Sequence, residues 1–537
     1  MSWNMGDIFD ALGEAIRAAN TALAHGDRLY TWGDFTRRTN NLGAQLVARS
    51  ARPEDKVALY LRNCPEYMET TVACMKARLV HVNVNFRYRE DEIHYILDNA
   101  DAKFVVFGGE FTPLLEAIRS RLPQVRAWIQ VDDGALAPFA EPYEKLATTG
   151  TGEPLAIRRS PDDLLFLYTG GTTGMPKGVM WRSEDLWRAI GGGGSLLTGE
   201  PPVASMDELR ARIAARGAAP VHLPACPLMH GTGLFTSFIS LTAGGTIVTL
   251  TNPGFDPHEL WGAVARHRVN TIAIVGDVFA KPMVQALDER RGDHSLDSVI
   301  AIISSGVMWS PEVKKALLGH HQGMVLFDSF GSSEAVGFGS SITTATGESR
   351  TGRFKLGERV KVFTEDGREV RPGSGEPGFV AHGGAIPLGY YKDPEKTART
   401  FKTIGGVRYV IPGDWCMVED DGTLVLLGRG SVCINTGGEK VYPEEVEEAL
   451  KTHPAVYDAL VVGVPDEKWG QAVVGLVEPN RGATASEDDL RQHVRARLAG
   501  FKTPKRVLFV DSIGRAPNGK ADYVAMTRLA EQRLADG

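Results

Sequence analysis

Apolar positions recur along this chain in two alternating rhythms, one with the spacing of a helix face and one in short continuous runs of strand length. Residues 35–49 read as a helix, Lys56-Val57-Ala58-Leu59-Tyr60 as a strand, 67–77 as a helix and Phe104-Val105-Val106-Phe107 as a strand. Such alternation predicts βα units, and therefore a mostly parallel sheet covered by helices. The rhythm returns later, with 257–268 as a helix and 269–275 and 298–303 as strands. Between residues 352 and 428, glycines, prolines and short β patterns predict a smaller β-rich subdomain. A new α+β unit begins near Gly428, with helices at 444–451 and 487–498 and strands at 459–464 and 472–477.

Three segments need a separate reading. Ile8, Leu12 and Ile16 fall at four-residue spacing, so the N-terminal segment reads as a helix docked on its domain, which leaves peripheral membrane contact open. Its acidic residues precede any basic one, which is not the pattern of a secretory leader. Residues 191–220 hold a glycine run, Pro201-Pro202 and a charged helix near 207–216, and read as a surface insertion. From Leu228 to Leu250 no Asp, Glu, Lys or Arg occurs, yet His230 and several Gly, Ser and Thr do, which predicts a buried helix followed by a strand and not a membrane span.

Composition narrows the class. A chain of 537 residues is too long for one core and predicts two or more domains. The net charge of −7, with no basic block, argues against a nucleic-acid partner. Cys64, Cys74, Cys226, Cys416 and Cys433 are scattered without metal-site or disulfide spacing, as expected in a reducing cytoplasm.

The segment richest in chemistry is Tyr168-Thr169-Gly170-Gly171-Thr172-Thr173-Gly174-Met175-Pro176-Lys177-Gly178, after the apolar run Leu164-Leu165-Phe166-Leu167. A strand that opens into consecutive glycines exposes backbone N–H groups that form an anion-binding concavity. Threonine hydroxyls add donors or a magnesium ligand, and Lys177 adds a point charge, so the expected guest is a polyphosphate. The Pro-Lys-Gly ending excludes a Walker A loop, which requires Gly-Lys before Ser or Thr.

This loop resembles the phosphate-binding loop of the adenylate-forming superfamily: acyl-CoA synthetases, peptide-synthetase adenylation domains and luciferases. Gly170 stands where those proteins usually carry Ser, which removes one hydroxyl donor. Further motifs follow in the same order. Asp328-Ser329-Phe330-Gly331-Ser332-Ser333-Glu334 resembles the second nucleotide motif, with Phe330 in place of Tyr to stack on adenine and Ser333 in place of Thr. The resemblance implies that Glu334 holds magnesium, with Thr173 as a further ligand, and that Gly306 borders the nucleotide and acyl sites. Gly413-Asp414 resembles the ribose-binding Gly-Asp, and Arg429 would reach ribose or phosphate. The run from Gly428 to Glu447 resembles the hinge and following loop: Ser431 sits at the hinge position, and Gly437 and Gly438 would admit a pantetheine arm. Arg515-Ala516-Pro517-Asn518-Gly519-Lys520 resembles the terminal Gly-Lys motif, which makes Lys520 the catalytic lysine. Pro227-Leu228-Met229-His230-Gly231-Thr232-Gly233 resembles the acyl-pocket motif, with His230 as a gate and with Gly233 and Leu234 lining the pocket.

Together the motifs imply an AMP-forming acid:CoA ligase most like actinobacterial fatty-acyl and sterol-side-chain CoA synthetases. The implied division is an N-terminal domain over 1–428, a hinge at 429–431 and a mobile C-terminal domain over 432–537. Implied substrates are a carboxylic acid, ATP with Mg2+, and coenzyme A, since no carrier domain follows. Two alternatives stand beside this reading: an acyl-AMP ligase that loads a carrier protein, and a non-catalytic nucleotide or acyl sensor. Short-acid members carry Trp where this chain has Gly331, so an open pocket for medium, long or ring-bearing acids is expected. The oligomeric state has no signal in the sequence.

Overall fold

The apolar runs become the central strands of two sheets. The computed structural model describes residues 2–131, 134–169, 175–195, 199–290, 292–307, 309–347, 352–429, 432, 434–436, 439–466, 470–498, 500–516 and 519–536. The chain divides into two compact units, one made of Met1–Gly171, Met175–Thr351 and Gly383–Phe401, the other chiefly of Gly352–His382 and Lys402–Gly537.

In the first unit, one sheet runs in the order Arg28–Thr31, Thr21–His25, Thr246–Thr249, Val221–Pro224, Thr271–Ile274, Ala301–Ser305, Val325–Ser332 and Ala335–Thr343. Its middle pairings are parallel, and an antiparallel hairpin flanks them at either end of that order. A second, eight-stranded sheet runs Gly389–Tyr390, Lys177–Arg182, Leu164–Thr169, Val80–Asn83, Lys56–Tyr60, Ala102–Gly108, Ala127–Val131 and Ala140–Pro142. Central strands such as Lys56–Tyr60 are buried on both faces, which is why they read as continuous apolar runs and not as alternation.

Local signals set the helix starts. Asp256 accepts from His258 N and Glu259 N, and Pro257 takes the first helical position of Pro257–His267. Thr31 and Asp34 form a reciprocal capping box at the start of Trp32–Ala48. Asn4 caps the N-terminal helix Met5–Ala15, whose Met5, Ile8, Phe9 and Leu12 are buried. Each such burial contributes about 1.5–3 kcal/mol, enough to dock the helix firmly. The 191–220 segment carries the helix Met206–Ala215, and Arg210 on it pairs with Glu14 at 3.0 Å. The charge-free stretch resolves into the helix Gly231–Thr242 and the strand Thr246–Thr249. Among the described residues no helix is long and apolar enough to cross a membrane.

Two histidines are sealed into the first unit. His222 contacts Thr271 Oγ1 at 2.9 Å and Thr236 Oγ1 at 3.0 Å, and burial pushes its pKa from 6.5 down to about 3. His81 lies between Tyr67 Oη and Phe166 O, each at 3.2 Å, and burial takes its pKa down to about 4. Both are neutral in the fold, whereas in the unfolded chain each takes up a proton near 6.5. Their contribution to stability is complete above that pH and falls on acidification, by about 1.4 kcal/mol per pH unit for each histidine. His222→Gln is expected to flatten the melting temperature against pH between about pH 6.5 and 5. An unchanged slope would contradict the assignment.

The second unit combines a β-rich layer with a terminal α+β element. Strands Arg353–Leu356, Thr423–Arg429, Asp414–Val418, Gly378–Gly383, Val407–Val410 and Phe401–Ile404 follow one another in the first, and Val360–Phe363 pairs with Gly378–Gly383. The terminal element is a five-stranded sheet centred on the long hairpin Val456–Asp466 and Gly470–Pro479. It is covered by Pro443–Lys451, Glu487–Arg495 and Tyr523–Asp536. The chain is thus mixed α/β, with mostly parallel sheets and helices in the larger unit and a small C-terminal α+β region.

Candidate active site

The phosphate-loop strand is the natural starting point. Leu164–Thr169 pairs antiparallel with Lys177–Arg182, and the ladder closes on Thr169 opposite Lys177, so the predicted loop is held between two fixed strands. Its Gly170, Gly171, Thr172, Thr173 and Gly174 lie outside the described residues. Lys177 Nζ pairs with Asp393 at 2.9 Å, and this hydrogen bond raises the pKa of the lysine. Asp393 is itself held by the Lys396 N–H at 2.9 Å, and that bond with Lys177 keeps its carboxyl below the usual range.

The second motif forms the hairpin of Val325–Ser332 with Ala335–Thr343. Ser304 stands opposite Asp328 and Ser305 opposite Ser329, which brings the following Gly306 to the same end of the sheet. Gly306 has φ +93°, a conformation that favours glycine. The Asp328 carboxylate is committed to an ion pair with the buried ammonium of Lys314, and burial raises its pKa despite that partner. Phe330 packs against Phe338 with ring centroids 5.1 Å apart. Ser332 Oγ accepts the Glu334 N–H at 3.2 Å, and Ser333 O accepts Trp181 Nε1 at 3.0 Å. Glu334 is buried, and its Oε1 accepts Tyr390 Oη at 2.7 Å. Lys396 Nζ lies 4.5 Å from the centre of the Tyr390 ring, and burial lowers its pKa. Lys177, Asp393, Lys396, Tyr390 and Glu334 therefore form one connected polar array.

A Cβ placed on Gly331 would stand 3.1 Å from Ala335 O and 3.3 Å from Gly337 N. A side chain here would need the hairpin backbone to give by a few tenths of an ångström.

The acyl motif supplies the start of the helix Gly231–Thr242, with His230 at its N-cap. Gly233 lies so close to Pro227 that a Cβ would fall 2.5 Å from Pro227 O, which fixes the packing of the helix on the preceding loop. Leu234 and Phe238 are buried, and Phe235 meets Trp181 edge-on at 6.0 Å. Trp181 thus touches both the Glu334 turn and the acyl helix.

In the second unit, Asp414 and Arg429 face each other across an antiparallel ladder, so the sequence-predicted ribose residues are brought together by backbone register. Gly413, at φ +103°, makes the turn into that strand. Trp415 packs on Phe379 with centroids 4.4 Å apart. Ser431, Gly437 and Gly438 lie outside the described residues. Lys520 is exposed on a tight turn in which Ala516 N–H donates to Lys520 O at 2.9 Å. Arg515 anchors the turn through Asp458 at 2.6 Å and Gly519 O at 3.2 Å. On its other side Tyr523 Oη donates to the buried Glu447 at 2.9 Å.

A magnesium ion carried by nucleotide phosphates needs only one or two protein carboxylates. Glu334, oriented by Tyr390 and otherwise buried, fits that requirement. Among the described residues no group of three or more His, Cys, Asp or Glu side chains is placed to cage a metal without a substrate.

The chain is similar to known proteins over nearly its whole length. The family described as AMP-binding enzyme matches residues 15–391, and the AMP-binding enzyme C-terminal domain matches 445–520. A 3-oxocholest-4-en-26-oate–CoA ligase of Rhodococcus rhodochrous is 42% identical over 534 residues, covering 97% of this chain and 95% of that protein. A medium/long-chain-fatty-acid–CoA/3-oxocholest-4-en-26-oate–CoA ligase of Mycolicibacterium smegmatis is 40% identical, covering 100% and 98%. Among solved structures, an anthranilate CoA ligase in complex with anthranoyl-AMP superposes with a TM-score of 0.83 at 22% identity, covering 99% and 98%. That likeness speaks to the fold alone.

Proposed function

Because the chain belongs to the AMP-binding enzyme family, we propose that it activates a medium-chain, long-chain or sterol-side-chain carboxylic acid for transfer to coenzyme A. It is an AMP-forming acid–thiol ligase, with ATP, Mg2+ and coenzyme A as its small-molecule requirements. The observation that carries the reading is the convergence in the first unit of Lys177, Glu334 and the acyl helix, tied together by Asp393, Tyr390 and Trp181.

The acid's carboxylate oxygen attacks the α-phosphorus of ATP, the bond from that phosphorus to the bridging oxygen breaks, and pyrophosphate leaves. Two anions must meet, so catalysis is chiefly alignment and charge neutralisation. Lys177 and the phosphate-loop N–H groups hold the β- and γ-phosphates, Phe330 borders the adenine, and Asp414 with Arg429 takes the ribose. Magnesium, held by Glu334 and Thr173, would supply a Lewis acid to the phosphate oxygens. Lys520 adds the charge that steadies the departing pyrophosphate. His230 closes the acid's entry, with Gly306, Gly233 and Leu234 along the acyl path. In the second half-reaction the thiol sulfur of coenzyme A attacks the acyl carbon and AMP leaves. We assign residues 429–431 as the hinge between the two half-reactions, residues 432–537 as the moving domain, and Gly437 and Gly438 as the passage for the pantetheine arm. The free thiols of Cys64, Cys74, Cys226 and Cys416 support a cytoplasmic setting.

The printed names of these two related ligases support a large apolar acid. Each methylene buried in an apolar path contributes about 0.8 kcal/mol, or roughly fourfold in affinity. kcat/KM measured from acetate through long and ring-bearing acids should therefore rise steeply with size. A preference for acetate would overturn the substrate assignment while leaving the ligase chemistry intact.

A further inference from the structure

Two asparagines join the sheets of the first unit at the place where phosphate loop and acyl gate meet. Asn63 follows the strand Lys56–Tyr60; its Nδ2 donates to Pro224 O at 3.3 Å and Cys226 O at 3.0 Å, and its Oδ1 accepts the Leu228 N–H at 2.7 Å. Asn83 ends the neighbouring strand Val80–Asn83 and is 3% exposed. Its Oδ1 accepts the Tyr168 N–H at 2.6 Å, while Nδ2 donates to Tyr168 O at 2.9 Å and to Met229 O at 2.7 Å. Every hydrogen-bonding atom of the amide is thus directed at main chain. The strand Val80–Asn83 meets Leu164–Thr169 in a single registered pair, Val82 with Phe166, so the Asn83 amide continues the ladder where the backbones part. Tyr168 comes two residues before the phosphate loop begins at Gly170, and Met229 comes directly before His230.

We propose that Asn83 is a positioning residue that locks the phosphate-loop strand and the His230 loop into one frame, so that the acid is presented in line with the nucleotide it attacks. The inference rests on the proposed function of this site. Asn63 provides the contrast: it grips the same acyl-side loop and makes no bond to the phosphate-loop strand. Asn83→Asp keeps the size of the side chain and the acceptor for Tyr168 N–H, but sets a carboxylate oxygen against the carbonyls of Tyr168 and Met229. That repulsion moves the two loops apart by a fraction of an ångström. Alignment in the first half-reaction is sensitive to such shifts, whereas attack of the thiol on a preformed acyl adenylate does not use the phosphate loop.

The test compares wild type, Asn83→Asp, Asn83→Ser and Asn63→Ala in acid-dependent ATP–pyrophosphate exchange, in thioesterification of supplied acyl adenylate, and in thermal unfolding. For at least one Asn83 variant that melts near the wild-type temperature, the kcat of exchange should fall roughly 10- to 100-fold with thioesterification almost unchanged. Asn63→Ala should raise the KM for the acid more than it lowers the kcat of exchange. Equal slowing of both half-reactions in the Asn83 variants would reveal a merely structural role and overturn the proposal, as would wild-type exchange in a folded Asn83→Asp protein. Absence of exchange in the wild type would instead overturn the reading of the site, and this inference with it.

Discussion

Lys520→Ala is expected to slow acid-dependent ATP–pyrophosphate exchange by roughly 10²–10³ and to leave thioesterification of a supplied acyl adenylate nearly intact. A positive charge held near the leaving pyrophosphate is needed only in the first half-reaction, so its removal should separate the two. The surroundings of the residue bear on how the variant is read. Its turn is pinned by Arg515 to Asp458 on one side and by Tyr523 to Glu447 on the other, two anchors that the Lys520 substitution retains, and a melting temperature near wild type checks that the turn is kept. Lys520→Arg keeps the charge and should recover part of the rate. Wild-type exchange in the alanine variant would remove Lys520 from the mechanism.

The second large effect is expected at Glu334. Glu334→Gln keeps the acceptor for Tyr390 Oη and removes the negative charge, and exchange should fall by about 10² with a higher magnesium requirement. Tyr390→Phe removes only the hydrogen bond that orients the carboxylate and should cost about two- to tenfold, again with a shifted magnesium dependence. A magnesium titration of exchange in the three proteins separates the roles. If Glu334→Gln titrates like wild type, the carboxylate serves the hairpin and not the metal.

Much of the architecture was legible because long, strongly patterned segments carry their own signal. The strand Lys56–Tyr60 and the helices at 257–268 and 444–451 were read to within a residue or so, since an apolar run between breakers, or a Pro at the first helical position, is local information. The buried helix and strand within 228–250 were also readable, because the glycines and hydroxyl residues there do not suit lipid.

The site was less legible than the fold. Motifs gave Lys177, Glu334 and Lys520, but not the partners that hold them. Tyr390, Asp393 and Lys396 lie more than two hundred residues beyond Lys177 and are brought to it by the pairing of Gly389–Tyr390 with Val179 and Met180. The local sign was present: Asp393 before Pro394 is a helix start, and the Gly-Tyr before it marks a conformation that glycine favours, with Gly389 at φ +146°. Nothing in the pattern said which loop that cap would face. Asn83 and Trp181 were hidden for the same reason, as each looks like an ordinary strand residue until the sheets are assembled. The close approach of Ala335 O and Gly337 N to Gly331 was hidden in the same way, since it arises only when the hairpin closes.

Product analysis tests the central claim most directly. Wild-type protein supplied with a long-chain or sterol-side-chain acid, ATP, Mg2+ and coenzyme A should form acyl-CoA, AMP and pyrophosphate in equal amounts, with acyl adenylate accumulating when coenzyme A is withheld. Formation of ADP, or acyl adenylate that coenzyme A does not consume, would contradict it.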